Sequence, residues 1–261
     1  MTALLLILSL SGCATPSQRF HQKTLELGFI AERLQASQFQ HQIYASKNLQ
    51  QSKTLHVYLD GDGSPWGNKR RVAYDPTARN PLILALMKQD DTPSILLGRP
   101  CYYGLNAQVG CDSKFWTSHR YSGAVVWSMA QALNHWIKQQ GFNQVVLIGY
   151  SGGGSLAILM AEKIQHIYTV LTIAANLDVK AWSEFHGYAT LKGSLNPIEQ
   201  GELSRHIQQI HVAGQDDQVV PAFVIKSYAQ SQQGARYYEF AGQDHACCWE
   251  AEWPNILSLI E

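Results

Sequence analysis

The chain carries no surplus of either charge. Twenty Lys and Arg side chains balance twenty Asp and Glu over 261 residues, and no Lys/Arg cluster breaks that balance. The electrostatic footprint of a nucleic-acid binder is therefore missing. Cysteine is scarce, five in all, and no Cys-x-x-Cys pair occurs, which argues against a zinc ribbon or a thioredoxin-type redox site. The N-terminal apolar run, Leu4 to Leu10, falls well short of the ~20 residues that a membrane-spanning helix needs. No internal repeat and no interdomain linker divides the sequence. A chain of this length then fits one large domain better than two small ones, and a hydrophobic share of 46% suffices for a sizeable core.

What is present begins with an address. Leu10-Ser11-Gly12-Cys13 follows the short apolar run and resembles the lipobox of bacterial lipoproteins. That resemblance implies a signal peptide over residues 1–12, cleavage before Cys13, and acylation of Cys13 as the new N-terminus. The protein is then exported and held at the membrane through Cys13. Ala14 in place of Asp leaves it free to reach the outer membrane, facing the periplasm. The pattern departs from a standard signal in having no basic residue before the apolar run. Cysteine usage agrees with export: Cys101 and Cys111 bracket a loop containing Tyr102, Tyr103 and Gly104, and a bridge is expected there. Cys247 and Cys248 are adjacent, either a vicinal bridge or two thiols.

Beyond a tether, an N-terminal helix and an edge strand over residues 13–52, the pattern alternates. Residues 18–35 read as helix, with Leu27, Ile30, Ala31 and Leu34 on one face. Gln38 to Tyr44 alternates like an edge strand. Strand patterns follow at Leu55–Leu59, Ser94–Leu97, Val145–Ile148, Tyr168–Ala174, Ile210–Gly214 and Arg236–Phe240. Helical patterns cover Pro81–Lys88 and Tyr121–Gln140, the latter stopped by Gly141. Strand–helix alternation predicts an α/β domain over 53–261, its mostly parallel sheet covered by helices on both faces.

The most informative stretch is Gly149-Tyr150-Ser151-Gly152-Gly153. A buried strand runs into it and a helix, Ser155 to Ala161, runs out. A serine between glycines at a strand-to-helix turn is the nucleophile elbow. The turn is tight enough that side chains beside the serine collide with neighbouring backbone, and glycine removes the collision. The helix N-terminus then aims its amides at negative charge forming there. A phosphate loop is the rival, but no Gly-Lys-Ser/Thr follows, and Ala157 stands at the last glycine of a dinucleotide fingerprint.

A serine alcohol needs a base, and the base a carboxylate to fix its tautomer. In open α/β sheets both belong on loops at the C-terminal ends of later strands. Asp216-Asp217 directly follows one strand pattern, and Asp244-His245 follows the last. The order Ser, Asp, His matches the α/β-hydrolases. From about residue 53 to the end, the chain resembles a bacterial serine hydrolase of the α/β-hydrolase fold. The resemblance assigns the acid to Asp217, two residues before Val219-Val220-Pro221, with Asp216 as the alternative, and the base to His245. His186 and His211 are weaker candidates. It also implies an oxyanion hole. One donor is the Gly152 amide. The other comes from the loop Asp60-Gly61-Asp62-Gly63-Ser64, with Asp62 favoured by position and Gly63 as alternate. Relatives often begin this loop His-Gly, and here Asp60 replaces the histidine. Asp62 must turn its carboxylate away from an oxyanion. Asp60 and Asp62 without a companion His or Glu motif make a thin case for a metal, and neither metal nor organic cofactor is expected.

Trp66, Tyr150 and Trp182 are candidate pocket walls. Phe185 and Tyr188 lie where relatives carry lids, in a stretch short enough to predict an open cleft. The expected activity is hydrolysis of a small or lipid-like carboxylic ester through an acyl-enzyme. The same residues suit a thioesterase, an amidase or an acyltransferase. The rival from another class is a non-catalytic envelope-binding lipoprotein that keeps the fold.

Overall fold

A computed structural model describes residues 14–68 and 71–260. The signal-peptide segment 1–12 and Cys13 lie outside the described residues. The chain enters through α1 (Pro16–Glu26), which is closed by a capping box. The Thr15 hydroxyl accepts the Gln18 amide and the Gln18 side chain accepts the Thr15 amide, satisfying donors that the first helical turn leaves open.

Eight strands form one sheet in the order β1-β2-β6-β3-β7-β8-β9-β10. They are β1 (Ile30–Gln35), β2 (Gln40–Ala45), β3 (Thr54–Leu59), β6 (Ser94–Leu97), β7 (Gln144–Tyr150), β8 (Ile167–Ile173), β9 (Gln208–Gly214) and β10 (Arg236–Phe240). A separate hairpin, β4 (Trp66–Asn68) with β5 (Arg71–Val72), projects from the loop after β3. From β6 to β10 the pairing is parallel, and only β1–β2 and β2–β6 are antiparallel. The helices are α2 (Leu82–Lys88), α3 (Gly123–Gln140), α4 (Gly152–Ala161), α5 (Val179–Phe185), α6 (Ala222–Gln230) and α7 (Trp249–Leu257). Central strands read as unbroken apolar runs because helices cover both faces: Val145 to Ile148 are fully buried. Helix α4 is buried along its whole length, packed on β3, β7, β8 and α3. This accounts for a sequence that is apolar all round.

Three expectations need correction. The helix expected over 18–35 ends at Glu26, and Ile30–Gln35 is a strand paired antiparallel with β2. Leu27, Ile30, Ala31 and Leu34 fit a helical period, but β2 offers six residues of ladder to pair with. Hairpin pairing with β2 overrides so short a periodic signal. Gln38–Tyr44 is consequently not an edge: β2 has neighbours on both sides, and β1 takes the edge with Glu32 and Arg33, charges that discourage pairing with another chain. Residues 30–45 thus belong to the same sheet as the strands after residue 53. Helix α3 starts at Gly123, two residues later than expected, where the Ser122 hydroxyl accepts the Val125 amide. It stops at Gly141, left-handed at φ 76°. Among the described residues no helix is long and apolar enough to cross a membrane.

Candidate active site

Ser151 sits between β7 and α4 with φ 52° and ψ −124°, a conformation that costs a non-glycine residue on the order of 1–3 kcal/mol. The flanking glycines make it attainable. A Cβ on Gly153 would strike the Leu59 carbonyl of β3, and one on Gly149 would strike Gly153 and Gly154 in the first turn of α4. The Ser151 amide is tied to the Ile173 carbonyl of β8 at 2.9 Å, and the residue is half-buried.

Two loops from the same sheet edge meet this serine. His245, between β10 and α7, places Nε2 3.0 Å from Ser151 Oγ and Nδ1 2.8 Å from Asp217 Oδ2. A carboxylate only accepts, so Nδ1 carries the proton and Nε2 is left to accept the serine hydroxyl. Asp217 is buried, and its other oxygen accepts the Val219 and Val220 amides at 2.8 Å each. It caps a turn and holds the histidine together. Asp216 is exposed and stays outside the cluster. The backbone of His245 is fixed too: the Tyr150 hydroxyl donates to its carbonyl at 2.8 Å. Asp244 accepts the Ala246 and Cys247 amides. The structure joins Cys247 to Cys248 and Cys101 to Cys111.

The loop after β3 carries two acids of opposite character. Burial pushes Asp60 up to about 6, against the Gly61 amide and Arg99. Burial acts the same way on Asp62, but Arg120 and Arg99 outweigh it and hold the carboxyl at about 2. The Asp62 oxygens lie 2.9 Å from Arg99 Nη2, 2.7 Å from Arg120 Nη1, and 2.7 and 2.9 Å from the Tyr121 hydroxyl. These partners occupy both oxygens that a metal would need. Among the described residues no group of three His, Cys, Asp or Glu could hold an ion.

Ser151 and His245 line a cleft of about 1330 Å³, walled by Trp66, Tyr150, Trp182, Tyr188 and Val219. Phe185 is outside the lining, exposed and packed on Phe223. His186 is outside the lining too, with Nε2 2.9 Å from the Val219 carbonyl. His211 is buried in β9 against Thr172, its ring pushed down to about 3 by burial. Arg99, Arg120 and Tyr121 escaped the sequence reading. One usable signal was a charged residue, Arg99, two positions after the wholly buried β6.

Eight strands in this order, helices on both faces and a nucleophile-type turn after β7 define the α/β-hydrolase fold. The chain matches no family model and no curated protein. Solved structures match it in fold. An α/β serine hydrolase without a lid from Xanthomonas campestris is 9% identical, with TM-score 0.56, over 89% of this chain and 94% of its own. An esterase/lipase from an uncultured bacterium is 13% identical, with TM-score 0.60, over 97% and 93%. An esterase from Pyrococcus furiosus is 12% identical, with TM-score 0.60, over 96% and 95%.

Proposed function

We propose that the protein is a serine hydrolase that cleaves a carboxylic ester through an acyl-enzyme. The observation that carries this reading is the hydrogen-bonded chain Ser151–His245–Asp217, whose serine and histidine line the cleft. Ser151 attacks the carbonyl carbon while His245 Nε2 takes its proton. Asp217 stabilises the imidazolium, and His245 then protonates the leaving alkoxide. The Gly152 and Asp62 amides receive the oxyanion, a contribution commonly worth 10²–10³ in rate per donor. Water activated by His245 releases the acid. Ester cleavage is favoured over other acyl chemistry by the esterases and lipases among the similar folds. A cleft open between Trp66 and Trp182 favours short acyl chains. Export and anchoring through Cys13 belong to the same reading. Two cysteine pairs support it, since disulfides persist in oxidising compartments.

A fluorophosphonate probe and a chromogenic ester panel from acetate to palmitate test the assignment. Labelling and hydrolysis should both vanish in Ser151→Ala, with wild-type rates highest for short chains. Activity that survives Ser151→Ala removes the nucleophile. A chain that never labels supports the binding-lipoprotein alternative. Palmitate incorporation lost in Cys13→Ser tests the anchor.

A further inference from the structure

The cluster around Asp62 has no evident reason to exist if the loop after β3 only turns the chain. Four charged or phenolic groups are gathered there from three separate segments: Asp62, Arg99 after β6, and Arg120 and Tyr121 before α3. Arg99 is stacked between the rings of Tyr102 and Tyr121, with 5.7 and 5.5 Å to their centroids, and the Tyr102 hydroxyl donates to the Asp62 carbonyl at 3.0 Å. The Asp62 carboxylate also lies against Gly152: a Cβ built there would strike Asp62 Oδ1. One side chain therefore bridges the two residues whose amides would receive the oxyanion. A lone carboxylate so placed would repel that charge. Two guanidiniums offset the Asp62 carboxylate and the charge of the neighbouring Asp60 instead.

We propose that Arg120, with Arg99 and Tyr121, is a positioning residue of the oxyanion hole. It holds the Asp62 carboxylate against Gly152, and so sets the spacing of the two amides while cancelling the charge that would oppose them. This rests on the serine-hydrolase reading. Preorganised donors in a water-poor site need no rearrangement when the oxyanion forms, so looseness in their spacing lowers the chemical step and leaves ground-state binding alone. Arg120 suits the role because its Nε is fixed on the Thr117 carbonyl at 2.8 Å and Nη1 on Asp62, a forked geometry that lysine cannot copy.

The test uses the full chain and a short neutral ester, with Arg120→Gln, Arg120→Lys, Tyr121→Phe and Ser151→Ala side by side. Arg120→Gln should lower kcat and the fluorophosphonate labelling rate together, by roughly 10–100-fold, the upper end matching loss of one oxyanion donor. KM should stay within about threefold. Arg120→Lys should recover part of the loss. A folded Arg120→Gln with kcat within threefold of wild type, or with its whole defect in KM, overturns the proposal. If Arg120→Gln gives no cooperative melt, Tyr121→Phe decides: a fall of about three- to tenfold in kcat at constant KM supports the clamp, of the size expected for one hydrogen bond, and an unchanged kcat overturns it. Activity persisting in Ser151→Ala refutes the Ser151 nucleophile, and with it the serine-hydrolase reading on which the clamp rests. Ser151-dependent activity indifferent to Arg120→Gln and Tyr121→Phe refutes only the clamp.

Discussion

The two ends of the parallel sheet each hold a histidine on an aspartate. At the C-terminal end His245 meets Asp217 at 2.8 Å. At the N-terminal end His56 of β3 meets Asp90, after α2, at 2.6 Å. The contacts are alike and the surroundings are not. Asp90 is shared with the Tyr58 hydroxyl at 2.6 Å and caps the Thr92 amide, so its partners are structural, and the cleft beside it, about 650 Å³, is lined by the last turn of α7 rather than its first. His245 presents its second nitrogen to a serine on a strained turn at the start of α4. A third arrangement, His41 with Ser128 at 2.7 Å, supplies a serine but no acid: its Nδ1 faces the Gly98 carbonyl, and the pair is buried. A histidine with one correct neighbour recurs in this molecule. What distinguishes the candidate site is both neighbours at once, at the sheet edge where helix amides gather.

The sharpest way to break that contrast is to neutralise each acid. Asp217→Asn should lower kcat by roughly 10³–10⁴, because the amide can no longer enforce the tautomer that leaves Nε2 free. Asp90→Asn should leave kcat per folded molecule within about twofold. Steady-state kinetics on protein quantified by its melting transition separates the two. Equal losses would mean the two pairs differ less in role than in address.

Only the reactive side of this contrast is legible in the sequence. The elbow is local: a tight turn imposes glycines within two residues of the serine, so Gly149-Tyr150-Ser151-Gly152-Gly153 carries its own geometry. Asp217 and His245 were readable as loops after strands, since parallel strands deliver successive loops to one edge. The clamp was not, because Arg120 and Asp62 are 58 residues apart and no local pattern relates them. Strand β1 was misread for the complementary reason: its residues satisfy a helical period, and only the open edge of β2 decides otherwise.

His41 sharpens the comparison through acid stability. Burial pushes its ring from 6.5 down to about 4, against the pull of the Gly98 carbonyl. Between those values the unfolded chain binds the extra proton and the folded chain does not. Stability from this group is therefore complete above about pH 6.5 and is lost as pH falls toward 4, by about 3 kcal/mol at the limit. His41→Gln should show a shallower acid slope in urea titrations from pH 7 to 4, by up to one proton. Parallel curves for the two proteins would mean the imidazole is not held neutral.

The active edge also has a covalent support that, among the described residues, the opposite end lacks. Cys101–Cys111 closes a short loop, with a sequence separation of 10, beside Arg99, Tyr102 and Tyr103, and Cys101 and Tyr103 hold φ of 67° and 56°. In the chain-entropy model such a loop contributes roughly 2–3 kcal/mol. A Cys101→Ala/Cys111→Ala double variant should melt about 4–12 °C lower. An unchanged melting temperature would show that packing alone keeps this segment in place.

The smallest effect belongs to His56→Gln. Glutamine can still donate to Asp90, and the Tyr58 hydroxyl and Thr92 amide continue to satisfy the carboxylate. No buried charge is stranded, so the cost should be that of one altered hydrogen bond, about 1 kcal/mol, visible as a shift of a few degrees at most. The catalytic rate should not move, because the pair sits at the far end of β3 from the loop that carries Asp62. A rate loss beyond about threefold in a variant that melts normally would mean the two sheet ends are coupled through β3, and the division between a structural and a reactive His–Asp pair would then have to be redrawn along that strand.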